Sequence, residues 1–466
     1  VASATASTTY NIDNSCRFDD GDTAWMEKDS SSVAEKKIGT ISFWMKRGNL
    51  TTAQTNIITH NSTGYCVVAL LAGSQIRFYS GEHDLSSTAV LRDPAAWYHI
   101  FANWDTTQAV AANRAKLYVN GVQVTLFATE TYPDQNDELP FFVDSEAVVV
   151  GRNPSPGNYF DGYLAEVVAL EGTAAAVTDF GEFDSDSPTI WKPIEHAQSG
   201  NKGANGFYLD FKDSANLGND AYGGTDLAET DLDATDQATD TPTNNFATLN
   251  PLDSYWESST FSQGNCKIVT ESTDYSYNTS TIGLTAGKWY FEIYIEATPH
   301  ATTKDSMLGI AGRMSEASQG YLGLYDDTYG MYGGTGKVFN NGSQSDYGLT
   351  THTTDDVIGV YIDLDNNKLY FAKNGVIMNS GTGISITAVA NTKAGAYFPV
   401  AADYYNGLSG TYRLNFGNPI YSLSSAVADT NGYGSFEYDP SDGGGSSFDS
   451  AAKDFLAICT KNLGSD

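Results

Sequence analysis

Lys116-Leu117-Tyr118-Val119-Asn120-Gly121 and Lys368-Leu369-Tyr370-Phe371-Ala372-Lys373-Asn374-Gly375 decide the fold of this 466-residue chain. Each is an apolar and aromatic run that halts at Asn-Gly and resumes with valine, Val122 in the first half and Val376 in the second. Asn and Gly both tolerate positive φ, which the tight turn of a two-residue β-hairpin requires, so both phrases predict hairpins. Their recurrence predicts an all-β chain of two tandem antiparallel β-sandwiches. Gly 45, Tyr 29 and Phe 22 against only 6 Met fit turns and aromatic strands.

The context of each hairpin adds a family likeness. Thr40-Ile41-Ser42-Phe43-Trp44-Met45-Lys46-Arg47, then Trp97-Tyr98-His99-Ile100, the hairpin, Val150-Gly151-Arg152 and Tyr159 to Val167 together resemble the laminin-G/concanavalin A-like jelly roll over residues 8–190. Gly287-Lys288-Trp289-Tyr290-Phe291-Glu292, Ile358 to Asp365 and Tyr397-Phe398-Pro399-Val400 resemble a SPRY domain over 245–421. The resulting division is a jelly roll at 1–190, an acidic linker at 191–244 with one extra strand at 206–211, a SPRY-like sandwich at 245–421, and a Gly/Ser-rich spacer with an apolar C-terminal tail at 422–466. This order, closing on Phe455-Leu456-Ala457-Ile458-Cys459-Thr460-Lys461-Asn462-Leu463, is similar to structural proteins of tailed, marine bacteriophages.

The linker assignment rests on charge. Residues 220–240 carry Asp220, Asp226, Glu229, Asp231, Asp233, Asp236 and Asp240 with no Lys or Arg, and self-repulsion favours a solvated segment. Over the whole chain the net charge is −32. Such a surface repels phosphate backbones and anionic lipid, so we expect no nucleic-acid partner. No apolar run reaches the roughly 18 residues that span a bilayer, so we expect no membrane insertion. The chain starts at Val1 rather than Met, from which we expect a segment upstream. Cys16, Cys66, Cys266 and Cys459 form no Cys-x-x-Cys pair and read as buried free thiols, a Cys16–Cys66 bridge being the exception to test.

Catalytic patterns are sparse. Glu292-Ile293-Tyr294-Ile295-Glu296 resembles the acidic strand of jelly-roll glycanases, but Tyr294 stands where the middle acid belongs. The six histidines, His60, His83, His99, His196, His300 and His352, have no zinc spacing. Asp363-Leu364-Asp365 begins like a calcium loop, yet Lys368 replaces the required glycine. Phe18-Asp19-Asp20-Gly21-Asp22 reads as a turn whose Asp19, Asp20 and Asp22 are the calcium candidates.

Binding is the better-supported expectation. Sugars stack on rings beside polar loops, which singles out Tyr325, Tyr329 and Tyr332 in one Gly/Asp-rich segment and Tyr404 and Tyr405 in another. Phe455, Leu456, Ile458 and Leu463 read as an anchoring tail on a flexible spacer. The phage likeness implies a non-enzymatic virion protein in many copies or a homo-oligomer. It would sit on the particle surface as fibre, tail appendage or capsid decoration, contact other virion proteins and adhere to host surface glycans or protein. A glycan-cleaving tailspike-like enzyme and a secreted bacterial carbohydrate-binding adhesin are the alternatives.

Overall fold

A computed structural model of the chain describes residues 10–31, 35–48, 50, 53–60, 66–81, 83–196, 202–253, 259–270, 275–315, 320–404, 407–441 and 453–464. The chain forms two compact units that divide between Asn245 and Phe246. Both are β-sandwiches. Both Asn-Gly turns adopt the geometry expected of them: φ is +47° at Asn120 and +73° at Gly121, and +50° at Asn374 and +76° at Gly375. Val119 consequently pairs with Val122, and Lys373 with Val376.

In the first unit the strand Gly162–Glu171 lies between Ile38–Arg47 and Ser15–Phe18, and Trp97–Asp105, Ala115–Val119 and Val122–Gln123 continue that sheet beyond Ile38–Arg47. The facing sheet runs Phe127–Thr131, His83–Val90, Gln75–Ser80, Cys66–Leu70, Thr55–His60, Ala147–Val150, Trp25–Asp29 and Ala228–Thr230. Phe43, Met45, Ile58, Val68, Ile100, Leu117 and Leu164 fill the space between them. Cys16 and Cys66 are buried free thiols, as are Cys266 and Cys459 in the second unit.

The acidic segment is not a linker. Phe207–Leu209 pairs with Gly162–Glu171, Ala228–Thr230 with Trp25–Asp29, and Gln237–Ala238 with Ser15–Phe18. Its acids are spent on internal contacts. Asp220 is buried and accepts the backbone amides of Tyr208 (3.0 Å), Tyr222 (3.1 Å) and Gly224 (3.0 Å) together with Lys202 Nζ (3.2 Å). Asp236 takes the buried Arg17 at 2.8 Å. The first sandwich therefore extends well past residue 190.

The second unit stacks a nine-stranded sheet on a six-stranded one. Lys288–Ala297 is central to the larger sheet, flanked by Val357–Asp363 and Thr411–Asn415. The smaller runs Ser276–Thr279, Phe398–Asp403, Ser306–Ala311, Thr328–Tyr332, Val338–Asn340 and Ser343–Ser345. Among the described residues the strand pairings are antiparallel except that of Leu456–Ala457, which lies parallel to Lys288–Ala297.

That exception corrects the anchoring-tail expectation. Phe455 is fully buried, its ring 5.1 Å from Tyr361 and 6.2 Å from Tyr370, and Ile458 enters the core between the sheets. Leu456 and Leu463 pack half-buried against the same core. Asp429 fastens the segment by accepting Ala457 N (2.9 Å) and Asn462 Nδ2 (2.7 Å). The tail is apolar because its own sandwich buries it. Most of the Gly/Ser-rich spacer, 442–452, lies outside the described residues.

Candidate functional site

Strand alternation sorts the tyrosines of the six-stranded sheet. In Thr328–Tyr332, Tyr329 and Met331 face the core while Tyr332 points outward. Tyr329 is buried, its hydroxyl donating to Asp326 O at 3.0 Å. Tyr325 stands apart, one ring face covered by the Arg313 guanidinium at 3.8 Å. Neither belongs to the outward cluster. Tyr405 lies outside the described residues.

The outward cluster is centred on Tyr404. Its ring centroid lies 5.2 Å from Tyr275, 5.1 Å from Tyr321, 5.9 Å from Tyr332 and 5.6 Å from Phe339. The four tyrosines are half-buried, and Phe339 and Tyr277 form the floor. The rings meet mostly edge to face, which locks them against one another. Asp305 fixes the cluster: its carboxylate accepts the Tyr332 hydroxyl, and its carbonyl accepts Tyr404 N at 2.6 Å. Sequence reasoning found Tyr332 and Tyr404 but missed Tyr275 and Tyr321. Tyr275-Ser276-Tyr277 carried a usable signal, two tyrosines at strand spacing in a segment of otherwise polar residues.

Among the described residues, one group of carboxylates could hold a cation. Oxygen atoms of Asp19, Asp20 and Asp161 all lie within 4.8 Å of one another, and Asp22 is not among them. Asp19 and Asp161 are buried and Asp20 is half-buried. The Asp161 carboxylate packs against Gly48, where a Cβ would come within 1.5 Å of its Oδ1. Three hard oxygen donors at this spacing suit calcium, whose oxygen ligands sit about 2.3–2.6 Å from the ion. Asp161 was missed because it lies 141 positions beyond Asp20 and reads as part of a strand approach.

The residues with catalytic resemblance do not assemble. Glu292 and Glu296 lie four positions apart on one face of Lys288–Ala297. Each carboxylate is instead committed to partners of its own. Glu292 is fully buried, holding Glu437 N (3.0 Å), Tyr438 N (2.8 Å), Asn415 Nδ2 (3.0 Å) and the Tyr290 hydroxyl (3.0 Å). Burial pushes its carboxyl up to about 7. Burial would raise Glu296 too, but Arg413 (2.6 Å) and Lys267 (2.9 Å) hold it below the usual carboxylate range.

A serine–histidine pair in the first unit fails on its tautomer. His99 Nε2 meets Ser42 Oγ at 2.9 Å, while Trp191 Nε1 donates to His99 Nδ1 at 3.0 Å. With Nδ1 accepting, Nε2 carries the proton and donates to the serine, the reverse of what a general base needs. Burial lowers this imidazole to about 3 and keeps it neutral.

Residues 20–174 match the concanavalin A-like lectin/glucanases superfamily, and residues 288–415 match the SPRY domain. This is an all-β protein of two sandwiches; it carries a laminin-G/concanavalin A-like domain followed by a SPRY domain. Over 151 residues it is 30% identical to the ATP-dependent RNA helicase DDX1 of Xenopus laevis, covering 32% of this chain and 18% of that protein. Over 128 residues it is 31% identical to the probable ATP-dependent RNA helicase ddx1 of Dictyostelium discoideum, 28% of this chain and 15% of that one. The chain thus spans less than a fifth of the length of these curated relatives. Among solved structures, the SPRY domain of human HERC1 matches 36% of this chain and 96% of its own, with 15% identity and a TM-score of 0.30.

Proposed function

We propose that this chain is a non-enzymatic recognition protein that uses the Tyr404 cluster of its SPRY domain to hold a host surface glycan, displayed in many copies on the surface of a bacteriophage particle. The observation that carries the binding reading is a contrast between the two outer faces of the second sandwich. The face of the nine-stranded sheet, with Tyr290, Tyr361 and Tyr370, is covered by the chain's own Phe436 and Phe455. The face of the six-stranded sheet keeps Tyr275, Tyr321, Tyr332 and Tyr404 half-exposed. A pre-locked group of aromatic rings with hydroxyls and a neighbouring carboxylate suits a ligand with apolar faces and polar edges, as a sugar has. The virion placement rests on the order of segments along the sequence, and the −32 charge fits a surface that avoids nucleic acid. Contact with other virion proteins belongs to the same proposal.

The test is adsorption of purified protein to bacterial cells and to isolated surface polysaccharide, comparing the native chain with Tyr321→Ala and Tyr404→Ala. Binding by the native chain that both variants lose, with unchanged melting of the second sandwich, supports the reading. Binding that both variants keep, or reducing ends released from the polysaccharide, overturns it.

A further inference from the structure

The first sandwich is open at one end. Between the edge Val122–Gln123 of one sheet and the strand His83–Val90 of the other lies a pocket of about 260 Å³. Its floor is Ile76 and Leu91, both buried members of the main core, its sides are the half-buried Val119 and Val124, and its rim includes Val122 and Leu126. Protein interiors are close-packed, so a space of this size reaching core side chains is a departure from ordinary packing. The rim departs too: Val122 is 60% and Leu126 73% exposed.

Ser87 and Thr88 turn their polar groups into the wall, while Gln123 and Thr125 are exposed lining residues. Ser87 Oγ accepts Ile76 N at 3.1 Å and donates to Ala89 O at 2.7 Å. Thr88 donates both its amide (3.1 Å) and its hydroxyl (3.2 Å) to Leu126 O. Among the described residues no ionisable side chain lines the space. A ligand here meets mainly aliphatic carbon and no charge partner among the lining residues, in a chain of net charge −32 that repels anions.

We propose that this pocket binds a small neutral apolar molecule or the alkyl chain of a neutral amphiphile. An engineered apolar cavity of about 150 Å³ stays dry and takes up benzene, so the space here suits a ligand of about ten carbons. Two exposed aliphatic rim residues fall far short of the roughly 800 Å² per partner that a stable protein interface buries, which disfavours a macromolecule or a second copy as occupant. This site is independent of the Tyr404 cluster, which lies in the other unit.

The test titrates the full chain with the neutral fluorophore N-phenyl-1-naphthylamine and competes it with 1-decanol and with decanoate. The expected result is saturable binding of a single probe per chain, displaced by the alcohol and not by the carboxylate at equal concentration. Val122→Trp fills the space and Val122→Asp places a charge on its rim; because Val122 is exposed, both fold. Each weakens probe binding by at least about tenfold, since burying the probe against the bulk or the unpaired charge is costly. No probe binding, binding unchanged in both variants, or equal displacement by decanoate overturns the proposal. So does a native dimer in sedimentation equilibrium that Val122→Asp dissociates, because a second copy would then be the occupant.

Discussion

Lys46 Nζ and Asp240 Oδ2 meet at 2.7 Å with neither side chain exposed to solvent, across 194 positions of sequence. Asp240 also accepts Trp97 Nε1 at 3.0 Å, its backbone carbonyl accepts Ser15 Oγ at 2.6 Å, and Lys46 donates to Asn245 Oδ1 at 2.7 Å. Breaking such a pair from one side leaves a buried charge uncompensated, at about 3–5 kcal/mol. Lys46→Met should therefore lower the unfolding free energy of the first unit, read from urea denaturation, by that order, and Asp240→Asn likewise. The double variant Lys46→Met with Asp240→Leu should recover much of the loss. A single variant within about 0.5 kcal/mol of the native chain would mean that the pair does not hold the acidic segment.

A fragment of residues 1–190 should aggregate or fail to fold, whereas 1–245 should fold. The shorter piece leaves Gly162–Glu171 without the pairing strand Phe207–Leu209, all three of whose side chains the native chain buries. Limited proteolysis and thermal melting of the two fragments decide this, and a cooperative transition in 1–190 would contradict it.

Removing residues 453–466 should unfold the second sandwich. The deletion takes out Phe455, Ala457, Ile458 and Cys459, all fully buried, and leaves Tyr290 and Tyr361 uncovered. Losing one large buried side chain costs about 3–5 kcal/mol, so losing several exceeds the stability of an ordinary domain. Phe455→Ala alone should cost about that amount, measured by denaturant unfolding of residues 246–466.

These two segments also mark where the sequence stopped being readable. Asn120-Gly121 and Asn374-Gly375 were legible because positive φ is a local property of those residues. Asp240 was not, because its meaning lies in Lys46, and a run of acids looks the same whether its cations are in solvent or in a distant strand. Phe455 announced that it would be buried, but its slot is built by Tyr290, Tyr361 and Tyr370 on a strand face that alternation marks as outward. At the candidate site, Tyr332 and Tyr329 differ only by strand parity, which becomes visible once the strand is placed at Thr328–Tyr332. Tyr321 joins Tyr404 from a segment outside the strands, with a contact across 83 positions that no local signal encodes.

Stability should rise as pH falls from 8 to about 6.5. Burial pushes Glu166, Glu292 and Asp403 each up to about 7, above their unfolded values. In the folded chain they bind protons first, so each adds about 1.4 kcal/mol per pH unit as pH drops below its folded value, until the unfolded carboxyl also protonates. Below about 6.5 the buried imidazoles oppose this: burial holds His60 to about 4 and His99 and His352 to about 3, so the unfolded chain takes up those protons. Melting temperature against pH should climb from 8 to 6.5 and then level off. Glu292→Gln should flatten the climb, and a curve that falls monotonically from pH 8 would refute the assignment.

Calcium, if it binds, should do so through Asp161 rather than Asp22. Asp19, Asp20 and Asp161 bring carboxylate oxygens within 4.8 Å, a spacing of hard oxygen donors that suits calcium. An ion that binds only the folded chain stabilises it by mass action, so chelation should lower the melting temperature of the first unit in calcium-loaded protein. The discriminating measurement is calcium titration by calorimetry of three proteins. Native and Asp22→Asn should bind alike, whereas Asp161→Asn should lose most of the affinity and most of the chelator effect. Loss of binding in Asp22→Asn with retention in Asp161→Asn would restore the local turn as the ligand set, and melting indifferent to both calcium and chelator would leave the three carboxylates as parts of a turn and a strand approach.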